Sequence, residues 1–176
     1  MTNKNTFFVL WDQDGTLYEF KPDGNYYTHL YFYLLRCLKN TVMAASLING
    51  MVFEGYEFVS CVYSNVLIDS PHDPEQEKND ALDRDTDIPR ENRIFMPCGS
   101  SKWENAVKMG IADRCILIDD YGKNLEDWQG PKVKVSRDAE DRKKEMLKYK
   151  YCISPDQTAD DIIKTILSAV KDYLSK

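Results

Sequence analysis

The chain has 176 residues, 43% of them hydrophobic and 30% charged, which suits one domain with a full core, covering residues 1–176. Its net charge of −6 argues against a general affinity for nucleic-acid backbone, and no apolar run reaches membrane-spanning length. Five scattered cysteines without a C-x-x-C pair, and only two histidines (His29 and His72), argue against structural zinc; with a polar N-terminus lacking an apolar signal region, the expected setting is reduced and cytoplasmic.

The first element is Phe7-Phe8-Val9-Leu10-Trp11, a short aromatic and β-branched run that reads as a buried parallel strand. It runs into Asp12-Gln13-Asp14-Gly15-Thr16-Leu17, which sets two carboxylates at the carboxyl edge of a sheet, where open α/β folds bind ligands. Alternation points Asp12 and Asp14 the same way, and their repulsion asks for a cation or a shared proton. A strand followed by an acidic turn is the plainer alternative for this stretch alone.

A turn at Pro22-Asp23-Gly24 leads to two helical candidates. Residues 26–39 are dense in apolar side chains, and a second segment capped by Thr41 carries Val42, Ala45, Leu47, Ile48 and Met51 as far as Gly55. Together, residues 18–55 read as a short cap. His29 falls in the first of these helices, where packing or a surface position explains it better than a ligand role.

Residues 56–63 form the second strand and end in Ser64-Asn65. A charged helix follows over 75–84, started by Pro74, and a third strand over 93–96. The turn Cys98-Gly99-Ser100-Ser101 leads to Lys102 and a helix over 103–109. The fourth strand, 114–118, runs directly into Asp119-Asp120. A short helix, an edge strand at 132–135, a basic-acidic arm at 137–150 and an amphipathic helix opened by Thr158 and Asp160 complete the chain. Strands alternating with helices predict a three-layer α/β/α, Rossmann-like sandwich around a parallel sheet.

Three strands thus end in chemistry: Asp12/Asp14, Ser64 and Asp119/Asp120. Carboxylates without His or Cys make a hard-oxygen site suited to Mg²⁺, which partners phosphate. A carboxylate beside it can act as nucleophile, with a hydroxyl and an ammonium holding the phosphoryl oxygens. Ser60 competes with Ser64 for the hydroxyl, but Val62 and Tyr63 would then be left apolar in a loop. Lys78 competes with Lys102 for the ammonium; a helical Glu-Lys is more often a solvated face, so Lys102 is preferred.

The order of these motifs resembles the haloacid dehalogenase superfamily of phosphatases, over residues 7 to 120. Asp12-Gln13-Asp14-Gly15-Thr16-Leu17 matches its first motif, Val62-Tyr63-Ser64 resembles its second, Lys102 stands for the third, and Ile116-Leu117-Ile118-Asp119-Asp120 matches the fourth. The block from Ser64 through Glu77-Lys78-Asn79 to Asp120 is similar to the 5′(3′)-deoxyribonucleotidase group, although the cap is shorter. The resemblance implies an Mg²⁺-dependent 5′-nucleotidase. Asp12 would be nucleophile and metal ligand; Asp14 would be general acid and base, with its backbone carbonyl on the metal. Ser64, Asn65 and Lys102 would bind phosphate, and Asp119 and Asp120 would complete the metal site. Tyr18, Phe20, Tyr26 and Tyr27 could stack a base. The alternatives are a phosphatase for a non-nucleotide phosphomonoester, favoured by the open cap, and a non-catalytic module whose 137–150 arm binds a partner.

Overall fold

The computed structural model describes residues 5–21 and 26–176; the expected turn at Pro22, Asp23 and Gly24 lies outside them. Strands β1 (Thr6–Trp11), β2 (Val52–Phe53), β3 (Tyr56–Val66), β4 (Arg93–Pro97), β5 (Cys115–Asp119), β6 (Lys132–Val135) and β7 (Cys152–Ile153) form one sheet. Its order is β2-β3-β1-β5-β6-β7, with β4 pairing the far end of β3. Every pairing is parallel except that of β2 with β3. The fold is therefore α/β, with a mostly parallel sheet flanked by helices.

Helices cover both faces because the strands are apolar on both. One core joins Phe7, Val9 and Trp11 of β1 to α1 (Lys39–Ile48), α2 (Pro74–Asp85) and α6 (Ala159–Leu174). The other joins Leu10 and Leu117 to α3 (Lys102–Lys108) and α4 (Gly122–Asp127). The side chain of Asp73 caps α2, Ser101 caps α3 and Thr158 caps α6, each accepting a hydrogen bond from the backbone N–H three residues on. The arm at 137–150 holds α5 (Ala139–Glu145), capped by Asp138 and without a buried residue. No helix among the described residues is long and apolar enough to cross a membrane.

Three expectations need correction. Residues 26–35 are turns and bends rather than a helix, Cys37 forms an isolated bridge with Tyr18, and α1 begins only at Lys39. The physical reason is where the backbone N–H groups go. Those of Leu30 and Phe32 are donated to the Glu77 carboxylate, 2.7 and 3.3 Å away, instead of to helical carbonyls, and Leu30 adopts a φ of +63°. Second, α1 stops at Ile48, well before Gly55. Glu54 and Gly55, with φ of +49° and +83°, make the tight hairpin turn between β2 and β3, as paired positive φ values favour. Third, Ser64 and Asn65 lie within β3, because β4 pairs alongside them: Ser64 is opposite Phe95 and Asn65 opposite Met96.

Candidate active site

The chain leaves β1 for neighbours on one side (β3, β4) and returns to the other (β5, β6, β7). A crevice opens at the carboxyl edge of such a sheet where the order reverses, here between β1 and β5. Trp11 is in register with Ile118, and the Asp12 amide donates to the Ile118 carbonyl at 2.9 Å, so Asp12 and Asp119 emerge side by side. One carboxylate oxygen from each of Asp12, Asp119 and Asp120 lies within 4.8 Å of the others, a hard-oxygen group able to hold a divalent cation.

Lys102 closes one flank. Its ammonium, almost wholly buried, lies 2.9 Å from Asp12 Oδ1 and 2.7 Å from Asp119 Oδ2. Burial opposes that charge, but Asp119 and Asp12 outweigh it and hold the lysine protonated well above its usual range. Tyr63 donates its hydroxyl to the Lys102 carbonyl at 2.9 Å, tying the start of α3 to β3. Asp119 is held further by the Tyr121 amide at 2.7 Å and by Asn124 Nδ2 at 3.0 Å. Burial nevertheless raises its carboxyl above the ordinary range, against the pull of Lys102.

The other flank belongs to Lys78, the lysine that sequence spacing set second. It is fully buried and donates to Asp14 Oδ2 at 2.7 Å, Ser64 Oγ at 3.1 Å and the Asn65 carbonyl at 2.8 Å. Both lysines are therefore in the site. The Glu-Lys pair on a polar helix looked solvent-facing because α2 has few apolar residues; only the docking of α2 turns Lys78 inward. Asp14 stands apart from the three-carboxylate group. Burial raises its carboxyl, Lys78 opposes that, and Asp12 adds to it; its Oδ1, like Asn65 Oδ1, is buried without a hydrogen-bond partner. Such a carboxyl is suited to carry a proton. Ser60, the competing hydroxyl, is a core residue that donates to the Ala45 carbonyl at 2.6 Å.

A cavity of about 550 Å³ opens over Asp12, Asp14, Ser64, Asn65, Lys102 and Asp120, within the range of small-molecule sites. Phe20, Cys98, Tyr121, Lys123, Asn124 and Asp127 also line it. Of the candidate aromatics, Phe20 lines the cavity and Tyr26 stacks behind it at 5.8 Å, whereas Tyr18 is core and donates to the Ala81 carbonyl. His29 sits against His72 with ring centroids 5.0 Å apart, away from the cavity lining.

Asp120 fits a cation most directly. No side-chain hydrogen bond or ion pair holds its carboxylate among the described residues, and burial, then Asp12 and Asp119, push it up to about 8. Gly15 makes room for it: a Cβ there would lie 2.2 Å from Asp120 Oδ2, and the φ of +76° disfavours any side chain. Gly15→Ala is therefore expected to displace the Asp120 carboxylate and weaken divalent-ion binding about tenfold or more. Mg²⁺-induced stabilisation in thermal melts measures this; equal Mg²⁺ responses in wild type and variant would reject the assignment of Asp120.

The same carboxyl sets a pH dependence. Without a divalent ion the folded chain keeps this proton up to about pH 8, whereas the unfolded chain loses it near the ordinary 3.8. Between those limits the folded state binds more protons, so stability falls as pH rises, by at most about 1.4 kcal/mol per pH unit. Melts in EDTA between pH 5 and 8 should decline with pH. Mg²⁺ and Asp120→Asn should each flatten that decline.

Compared with protein-family models, with curated proteins and with solved structures, the chain has no match.

Proposed function

We propose that the chain is a divalent-cation-dependent phosphomonoesterase of the haloacid dehalogenase type, acting on a nucleoside monophosphate through an aspartyl-phosphate. The observation that carries this reading is the division of the site's polar groups between two buried lysines, Lys102 on Asp12 and Asp119, and Lys78 on Asp14 and Ser64. A structural ion pair needs no such split. Phosphoryl transfer does, because the attacking carboxylate and the proton carrier need different surroundings.

Asp12, Asp119 and Asp120 would hold Mg²⁺, with the Asp14 backbone carbonyl. When bound, the ion supplies charge neutralisation and orientation of the phosphoryl oxygens. An Asp12 oxygen attacks phosphorus while the ester P–O bond breaks, and Asp14 gives its proton to the departing oxygen. Water then attacks the aspartyl-phosphate, Asp14 takes a proton from it, and inorganic phosphate leaves with Asp12 restored. Lys102, Ser64 and the Asn65 side chain stabilise the negative phosphoryl oxygens throughout.

The nucleotide part of the reading is supported by two aromatic side chains in the cavity lining, Phe20 and Tyr121, together with polar Asn124 and Asp127. Phosphate release with Mg²⁺ from deoxyribonucleotide, ribonucleotide, sugar and aromatic phosphates is the test. The expected result is release from all small esters with preference for nucleoside monophosphates. Preference for sugar phosphates would reject the nucleotidase assignment, and no release from any ester would reject the enzyme.

A further inference from the structure

Two adjacent residues near the start of α2, Glu77 and Lys78, reach in different directions and meet different parts of the site. Glu77 is buried, and among the described residues no lysine or arginine pairs with it. Burying a carboxylate is costly unless it is hydrogen-bonded, and its two oxygens are used on the backbone of the segment 26–38. Oε1 accepts from the Leu30 amide at 2.7 Å and Oε2 from the Phe32 amide at 3.3 Å. Between them the chain turns through the positive φ of Leu30, a conformation a leucine does not adopt without support.

The anchored segment is continuous with the cavity wall. Phe32 meets Tyr31 edge-on at 5.0 Å, Tyr31 meets Tyr26 at 5.3 Å, and Tyr26 stacks on Phe20 at 5.8 Å with planes 8° apart. Phe20 is 40% exposed and lines the cavity. At the other end, the Phe32 ring lies 4.9 Å from the Lys78 ammonium, which in turn holds Asp14 and Ser64.

We infer that Glu77 is a positioning residue for substrate selection: by pinning the backbone of Leu30 and Phe32 it fixes the aromatic row that holds Phe20 against the cavity. Its role in selection rests on the phosphatase reading above; the anchor itself does not. Glu77 touches none of the reacting groups. Its loss should leave the chemistry at Asp12 and Asp14 in place and loosen what recognises the rest of the substrate. Lys78, its neighbour, acts on the reaction centre directly.

The test uses the full chain and Glu77→Gln, which keeps the side-chain size and removes the charge. One amide of the pair then faces an NH₂ group instead of an acceptor. Hydrogen exchange at residues 28–33 should quicken about tenfold or more, while β1 stays protected. In phosphate release, KM for the preferred nucleotide should rise about tenfold with kcat nearly unchanged, and p-nitrophenyl phosphate, too small to span the cavity, should be turned over as before. Phe20→Ala should reproduce the KM effect, and adding Glu77→Gln to it should change little more. Unchanged exchange at 28–33 would overturn the anchor. Equal losses on the nucleotide and on p-nitrophenyl phosphate would overturn the role in selection. Wild-type protein that hydrolyses no ester would overturn the phosphatase reading and the selection role together, while the exchange experiment still decides the anchor.

Discussion

An Asp12→Asn variant is expected to fold like wild type and to release phosphate at least about 10⁴-fold more slowly, the scale of loss seen when a nucleophile is removed. The amide is isosteric, and its oxygen still accepts from Lys102, so the 2.9 Å contact survives with little change of shape. What disappears is the anionic oxygen that the proposed mechanism brings to phosphorus. Beryllium fluoride, which mimics the aspartyl-phosphate, should bind wild type in the presence of Mg²⁺ and not the variant. Steady-state phosphate release, with a circular-dichroism melt to confirm the fold, measures the effect. A variant that keeps more than a hundredth of wild-type kcat would remove Asp12 from the attack.

The second large effect is on stability. Lys102 stands between Asp12 and Asp119, and its ammonium is the one cation in contact with either carboxylate among the described residues. Replacing it with methionine keeps most of the volume and leaves Asp119, at 0% exposure, with only the Tyr121 amide and Asn124. Breaking a buried pair from one side typically costs about 3–5 kcal/mol. For a chain of this size that corresponds to a melting temperature lower by on the order of 10 °C. Lys102→Met with Asp119→Asn should recover part of the loss, because the stranded charge is gone, without recovering activity. Urea denaturation of the single and double variants checks both statements. A single variant as stable as wild type would mean that the pair is not what holds these strand ends together.

The local elements were legible where local physics decides them. The apolar run at 7–11 and the buried 115–118 read as interior strands, and Pro74 and Thr158 announced helix starts that the fold keeps; Thr41, read as a cap, instead lies inside α1 and donates its hydroxyl to the Leu38 carbonyl. The parallel sheet followed from strands separated by helices, and the carboxyl-edge position of Asp12, Asp14, Asp119 and Asp120 followed from where their strands end. Where long-range contact decides, the sequence misled. Residues 26–38 carry a helix-like density of leucines and tyrosines, yet Glu77, 45 residues from Phe32, takes the amides a helix would need. The short strands β2 and β7 have too few residues for any periodicity and exist because β3 and β6 offer them an edge.

The site divides in the same way. The chain by itself determined which carboxylates and which hydroxyl gather at the sheet edge, because strand order and strand ends are set by apolar runs and their polar punctuation. Only the tertiary structure decided the second cation. A lysine on a charged helix has the same sequence signature whether it faces water or a buried carboxylate, and it is the packing of α2 against the sheet that carries Lys78 to Asp14 while Lys102 takes Asp12 and Asp119.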